Sequence, residues 1–281
     1  MSLSIVTNVQ SLKVQANLTA ATDTLNNAIE RMTTGYKINR AKDDAAGYSI
    51  ASQMEAKLGS YDVASNNAQI GLDMLTTTEE NYVLINDHLQ RIRDLAEQAA
   101  NGTYSTDSRT AIEAEINSRL AEIDRVAGSA EYNGMNLMDG SLNYDVNIQV
   151  GINGSAHSKV TLVQSLFGKA DAKTLLGTEN ATFASNCSGK EAYNYLSTID
   201  NAIDNISARV TTLGASQNRL ESALDSIAVT TENLTSSLST VKDADIANES
   251  TRYLQAQILQ SAATTLLSTA NQTPSIALQL L

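Results

Sequence analysis

Between Leu196 and Val241 the chain carries an apolar residue at nearly every step of a three–four alternation. The positions are Leu196, Ile199, Ile203, Ile206, Val210, Leu213, Gln217, Leu220, Leu224, Ile227, Thr231, Leu234, Leu238 and Val241, and twelve of the fourteen are apolar. A period of 3.5 residues draws them into one stripe of an α-helix, the seam of a coiled coil. At 1.5 Å per residue such a rod is roughly 70 Å long. A continuous apolar stripe of that length must be covered, so the rest of the chain has to supply helices to match.

Leu75, Thr78, Tyr82, Ile85, Leu89, Ile92, Ala96 and Ala99 repeat the seam and stop at Asn101-Gly102, a C-cap and turn signal. Residues 105–108, Ser-Thr-Asp-Ser, then offer N-caps for a third helix carrying Ile112, Ile116, Leu120, Ile123 and Ala127. A single proline removes the usual breaker and permits long helices. Two Phe and no Trp leave thin layers, helices packed in pairs or small bundles, rather than a thick core.

The period changes after Asn133-Gly134. Leu142, Tyr144, Val146, Ile148, Val150 and Ile152 alternate with Asn, Asp, Gln or Gly, which predicts a half-buried strand. Residues 151–155 read as a turn, and residues 159–163 as the returning strand. The small, polar stretch 168–190 reads as an exposed loop. Both chain ends are amphipathic but weakly so. Val9, Leu12, Ala16, Leu25, Ile29 and Met32 form a broken stripe, and Leu254, Ile258, Ala262 and Leu266 form another. Terminal helices with such stripes and no core of their own need a partner, which points to an assembly subunit.

Several functions are disfavoured. A formal charge of −12 without a Lys/Arg cluster argues against nucleic acid and anionic membrane surfaces. No window is long enough to span a membrane, and the first residues lack the basic start and apolar run of a cleavable signal. The chain is expected to be cytosolic, or exported by a route that needs no cleaved signal. Cys187, the single cysteine, allows no internal disulfide. His88 and His157, the two histidines, have no Cys or carboxylate at metal-ligand spacing. The carboxylate pairs Asp43-Asp44 and Glu79-Glu80, read as helical, diverge by about 100° and cannot converge on one substrate atom. No catalytic, cofactor or metal site is expected.

Three stretches carry a resemblance to a known family. Residues 25–51, LNNAIERMTTGYKINRAKDDAAGYSIA, residues 89–140, beginning LQRIRDLAEQAANGTYS, and residues 241–281, beginning VKDADIANESTRYLQAQ, together resemble bacterial flagellin. The resemblance implies a mainly α fold, a long antiparallel coiled-coil-like rod with a small β-hairpin region. Residues 1–44 and 242–281 would form a discontinuous inner domain, a terminal helical hairpin lining the filament channel. Residues 45–241 would form the outer domain, with β-hairpins at about 132–163 and a short variable loop at about 166–190. Asn39, Arg40, Lys42, Asp43 and Asp44 match the spoke connector between these layers. Ile276, Leu278, Leu280 and Leu281 form an apolar polymerisation tail.

What the family does is the corresponding expectation: a structural subunit exported by the flagellum-specific type III route and polymerised outside the cell into the propeller of motility. Expected partners are further copies of itself, an export chaperone, and the filament cap and hook-junction proteins. Gln90, Arg91, Leu95 and Glu115 match the family's contacts with the innate immune receptor Toll-like receptor 5. Arg91 and Leu95, one turn apart, would form a stripe flanking the buried seam. Alternatives are a hook–filament junction protein, which shares the terminal helices, and a cytosolic coiled-coil scaffold, which leaves the unfinished ends unexplained.

Overall fold

The computed structural model describes residues 7–178, 180–182 and 190–279. The elements in chain order are α1 (Val9–Thr34), α2 (Ala45–Ala100), α3 (Thr106–Ser129), β1 (Glu131–Tyr132), β2 (Met135–Asn136), β3 (Val146–Gln149), β4 (Lys159–Leu162), α4 (Ala172–Leu176), α5 (Lys190–Lys242) and α6 (Ile246–Gln279). Long helices dominate, with two short antiparallel hairpins, as the periodicity predicts. Two compact units are present: Met1–Leu58 with Glu232–Leu281, and Gly59–Thr231. Within the smaller unit, Lys242 pairs with Glu55 of α2 and lies over the Tyr36 ring, 4.3 Å from its centroid, tying those helix ends to the connector.

In the larger unit the seams meet as one core. Leu75, Thr78, Tyr82, Ile85, Leu89, Ile92, Ala96 and Ala99 are all fully buried. Ile116, Leu120 and Ile123 of α3 and Ile199, Ile206, Leu213 and Leu220 of α5 face them. Polar pairs at the rim set α2 and α5 antiparallel: Arg93 Nε donates to Asp200 Oδ1 at 2.7 Å, and Gln217 Nε2 donates to Glu79 Oε2 at 2.8 Å. Ser105 caps α3, its hydroxyl accepting the Ser108 N–H at 3.3 Å. Arg109, although buried, donates to the Asn101 carbonyl at 3.3 Å and so draws the α2–α3 turn onto the bundle.

The β1–β2 turn holds Asn133 at φ +48° and Gly134 at φ +78°, the paired positive φ that a two-residue hairpin needs. The predicted strand from Leu142 to Ile152 is shorter in fact. Only Val146–Gln149 pairs with Lys159–Leu162, with Ile148 opposite Val160. Leu142 enters the core on its own, and Asp145 turns its carboxylate to the Gln164 N–H at 2.8 Å. Alternation therefore outlasts the ladder. The hairpin rests on α2 at Gly71, where an added Cβ would lie 3.1 Å from Ile148.

The described part of the expected loop at about 166–190, as far as Thr182, is packed rather than wholly exposed. Leu166, Phe167, Ala170, Ala172, Leu176 and Ala181 are buried and belong to the core. Alanines and a few bulky apolar residues suffice to fill the space beside the three helices, and side chains from those helices satisfy the irregular backbone. Cys187 lies outside the described residues.

Candidate functional site

The connector begins where Gly35, at φ +76°, ends α1 in the left-handed conformation and donates to the Arg31 carbonyl at 2.9 Å. Two chain segments then pair. Lys37 N–H donates to the Lys242 carbonyl and Ala244 N–H to the Gly35 carbonyl, both at 2.8 Å, around an antiparallel bridge between Tyr36 and Asp243. Asp43 and Asp44 lie ahead of α2, not on it, so their helical spacing is a misreading. Asp43 Oδ2 accepts from the N–H groups of Arg40 at 3.0 Å and Asn39 at 3.2 Å. The Arg40 amide chiefly holds its carboxyl below the usual range. Asp44 Oδ1 accepts from Ala46 and Gly47 as the cap of α2, and Asp245 does the same for Ala247 and Asn248 of α6. Asn39 Nδ2 donates to the Tyr36 carbonyl at 3.1 Å, and Arg40 reaches Glu30 at 2.9 Å. Lys42 is exposed. The cluster consists of turn and helix caps, and no substrate-directed pair emerges from it.

Beyond the connector, α1 and α6 pair antiparallel. Asn8 Nδ2 donates to the Ala270 carbonyl at 2.8 Å, Gln260 to Thr22 at 3.2 Å, and Arg31 to Glu249 at 3.1 Å. Their contact is made by alanines seven residues apart, Ala21 and Ala28 against Ala256 and Ala263, all buried. Leu254 and Ile258, read from sequence as part of the stripe of α6, lie on the other side, while Leu266 borders the alanine contact; all three are more than half exposed, as are Val9 and Leu12 of α1. The hairpin thus seals itself with its smallest side chains and presents its largest ones outward. An apolar groove of about 430 Å³ runs along it, lined by Val14, Ala21, Ala256, Leu259, Ala263 and Leu266. Of the expected tail, Ile276 and Leu278 lie on α6 with their side chains outside the described residues, as do Leu280 and Leu281 altogether.

On α2, Arg91 Nη2 donates to Glu115 Oε1 of α3 at 3.2 Å, with both side chains partly exposed and Gln90 exposed beside them. Leu95 is different. It is 3 % exposed and part of the helical core, so the expected apolar stripe next to Arg91 does not exist. Its place one turn from Arg91 suggested a common face, but the packing of the helical core covers it. His88 lies 3.5 Å from Arg119 of α3, and His157 sits in an exposed turn. Among the described residues no group of three metal-capable side chains converges, and no helix is long and apolar enough to cross a membrane.

Sequence reasoning missed the alanine seam, although alanine or glutamate at every seventh residue (Glu249, Ala256, Ala263, Ala270) is a readable signal. Glu249, buried between Arg31 and Arg252, was likewise missed.

Long helices, capped connectors and an outward apolar face are the features of a helical structural protein. Residues 5–143 match the family model described as bacterial flagellin N-terminal helical region, and residues 196–281 match the flagellin C-terminal helical region. The chain is 34% identical over 281 residues to Flagellin FlaB1 of Treponema pallidum, covering 98% of each chain. It is 31% identical over 277 residues to a flagellin of Halalkalibacterium halodurans, again covering 98% of each. The crystal structure of Bacillus cereus flagellin matches 58% of this chain and 88% of its own, with 31% identity and a TM-score of 0.47. The chain belongs to the bacterial flagellin family. It is a structural subunit of the flagellar filament, not an enzyme, and it carries the family's helical core with few residues between the two family regions.

Proposed function

We propose that this chain is exported by the flagellum-specific type III route and polymerises outside the cell through its terminal hairpin. The observation that carries this reading is the inverted hairpin: alanines inward, Leu254 and Ile258 outward, and Leu266 exposed at the groove beside them. Exposed apolar side chains on a thin two-helix element gain their burial only from other chains, and non-closing contacts between copies give open filaments. The Ile276, Leu278, Leu280 and Leu281 tail extends the same surface in sequence. Residues 1–44 and 242–281 then form the inner, channel-lining layer and residues 45–241 the outer one. The Asn39, Arg40, Lys42, Asp43 and Asp44 cluster serves as the spoke, which suits its role as a set of caps. An export chaperone covers the α6 surface before assembly, and the filament cap and hook-junction proteins meet the same ends. The test is Ile258→Asp combined with Leu266→Asp. Folded monomer that no longer polymerises supports the reading; filaments of normal stability refute it.

A second role rests on the half-exposed Arg91–Glu115 pair. The surface of Gln90, Arg91 and Glu115 is a contact for Toll-like receptor 5 on free monomer, with Leu95 supporting it from within. A guanidinium at the centre of a contact surface is a common hot spot. Receptor signalling by purified monomer should fall in Arg91→Ala; equal potency excludes this surface.

A further inference from the structure

Among the described residues of 164–182, regular structure is limited to a 3-10 turn, Gln164–Phe167, and the five-residue α4. Side chains of neighbouring elements satisfy much of the remaining backbone. Gln164 N–H donates to Asp145 at 2.8 Å, and Ala172 N–H donates to Asp124 of α3 at 2.7 Å. Ala170 N–H finds the Met138 carbonyl at 3.0 Å. Asn117 of α3 closes a two-way pair with Ala181, its Nδ2 donating to the carbonyl at 3.3 Å and its Oδ1 accepting the N–H at 2.8 Å. Arg209 of α5 does most at the near end. Its Nη1 donates to the Gly168 carbonyl at 2.8 Å and lies 3.3 Å from the Lys169 carbonyl and 3.2 Å from the Tyr82 hydroxyl. Tyr82 of α2, itself fully buried, donates to the Leu166 carbonyl at 2.9 Å.

We infer that residues 164–178 and 180–182 are a strap latched across α2, α3 and α5 by Arg209 and Tyr82, able to open as a unit without melting the helices beneath. The physical reason is the balance of contacts. Apart from Leu166, Phe167 and Leu176, the buried strap residues are alanines, so polar staples hold much of the segment. One cation serves two successive carbonyls and a phenol, so its loss frees several acceptors together. The helices keep their own backbone ladders, and opening the strap breaks none of them. Segments with few regular backbone bonds open at lower free energy than the elements they cover.

Hydrogen exchange on the full-length chain tests the latch. In Arg209→Ala, amides of residues 170–178 should exchange at least about tenfold faster, the scale of a lost charged hydrogen bond, while residues 75–99 keep wild-type rates. Arg209→Lys should restore part of the protection, because an ammonium still satisfies one carbonyl. Unchanged exchange in the strap, or equal acceleration in strap and helices, overturns the inference. Should Arg209→Ala fail to fold, Asn117→Ala probes the same strap from its far end, with the same two outcomes.

Discussion

Glu249 of α6 accepts a hydrogen bond from Arg31 of α1 at 3.1 Å, and the same oxygen accepts one from Arg252, also at 3.1 Å. The carboxylate is nearly buried, while Arg31 is only partly covered and Arg252 is more than half exposed. An alanine seam has little shape to define its register, since one small side chain packs much like another. A buried carboxylate with a partner on the opposite helix supplies that definition. Glu249→Ala should cost the hairpin about 1–2 kcal/mol, less than a fully buried charged pair because both cations retain water. The measurement is the melting temperature of assembled filaments, which should fall in Glu249→Ala and fall less in Glu249→Gln. No change in either would show that the alanines alone set the register.

Leu95 and Arg91 should separate cleanly by the kind of damage their removal causes. Leu95→Ala leaves a core cavity and should destabilise the larger unit by about 2–5 kcal/mol. Arg91→Ala loses a half-exposed ion pair and should cost at most about 1 kcal/mol. Urea denaturation of the monomer distinguishes them. Arg91→Ala is therefore the clean probe of any receptor contact, and lost signalling in Leu95→Ala would report unfolding of the surface instead.

Gly71 sits in α2 directly beneath Ile148 of β3, so the hairpin's seat depends on an absent side chain. In Gly71→Ala the better helix propensity, worth about 1 kcal/mol, offsets the displacement of Ile148 by a few tenths of an ångström, and stability should change little. Gly71→Val adds bulk that Ile148 cannot clear and should destabilise by about 1–3 kcal/mol. The urea midpoint of the two variants gives the comparison; a stabilising Gly71→Val would mean that the hairpin is free to lift from α2.

Burial raises the Tyr82 hydroxyl above its ordinary value of 10.0, with the Arg209 charge opposing it only in part. A group whose folded pKa is raised contributes stability in full below the unfolded pKa and loses it as pH rises through the folded one. Wild-type stability should therefore begin to fall above about pH 10 as the unfolded chain ionises first. Tyr82→Phe should show a shallower decline across that alkaline window, though a lower stability at pH 7 from the unpaired Leu166 carbonyl. Parallel pH profiles for the two proteins would exclude Tyr82 as the titrating group. Tyr195, also raised by burial, contributes in the same direction and remains in both proteins.

The three seams of the larger unit are legible in the amino-acid sequence, because a 3.5-residue period has one physical reading and Leu89, Ile206 and Leu220 could face nothing but a core. So are the Asn133-Gly134 hairpin turn and the Ser105 cap, where local backbone chemistry decides the conformation. The side on which α1 and α6 meet is not. Leu254, Ile258 and Leu266 make the more hydrophobic stripe, yet the helices pair through Ala256 and Ala263, because small side chains let two backbones come close and leave the bulky ones for other surfaces. Periodicity ranks faces by hydrophobicity and carries no information on which neighbour each face meets. Leu95 and the strap escape it for the same reason. One turn of helix places Leu95 beside Arg91, but only the packing of the helices buries one and leaves the other half exposed. The small, polar segment after Phe167 has no pattern of its own, and its order is supplied by Asn117, Asp124 and Arg209, residues that distant stretches of the chain bring to it.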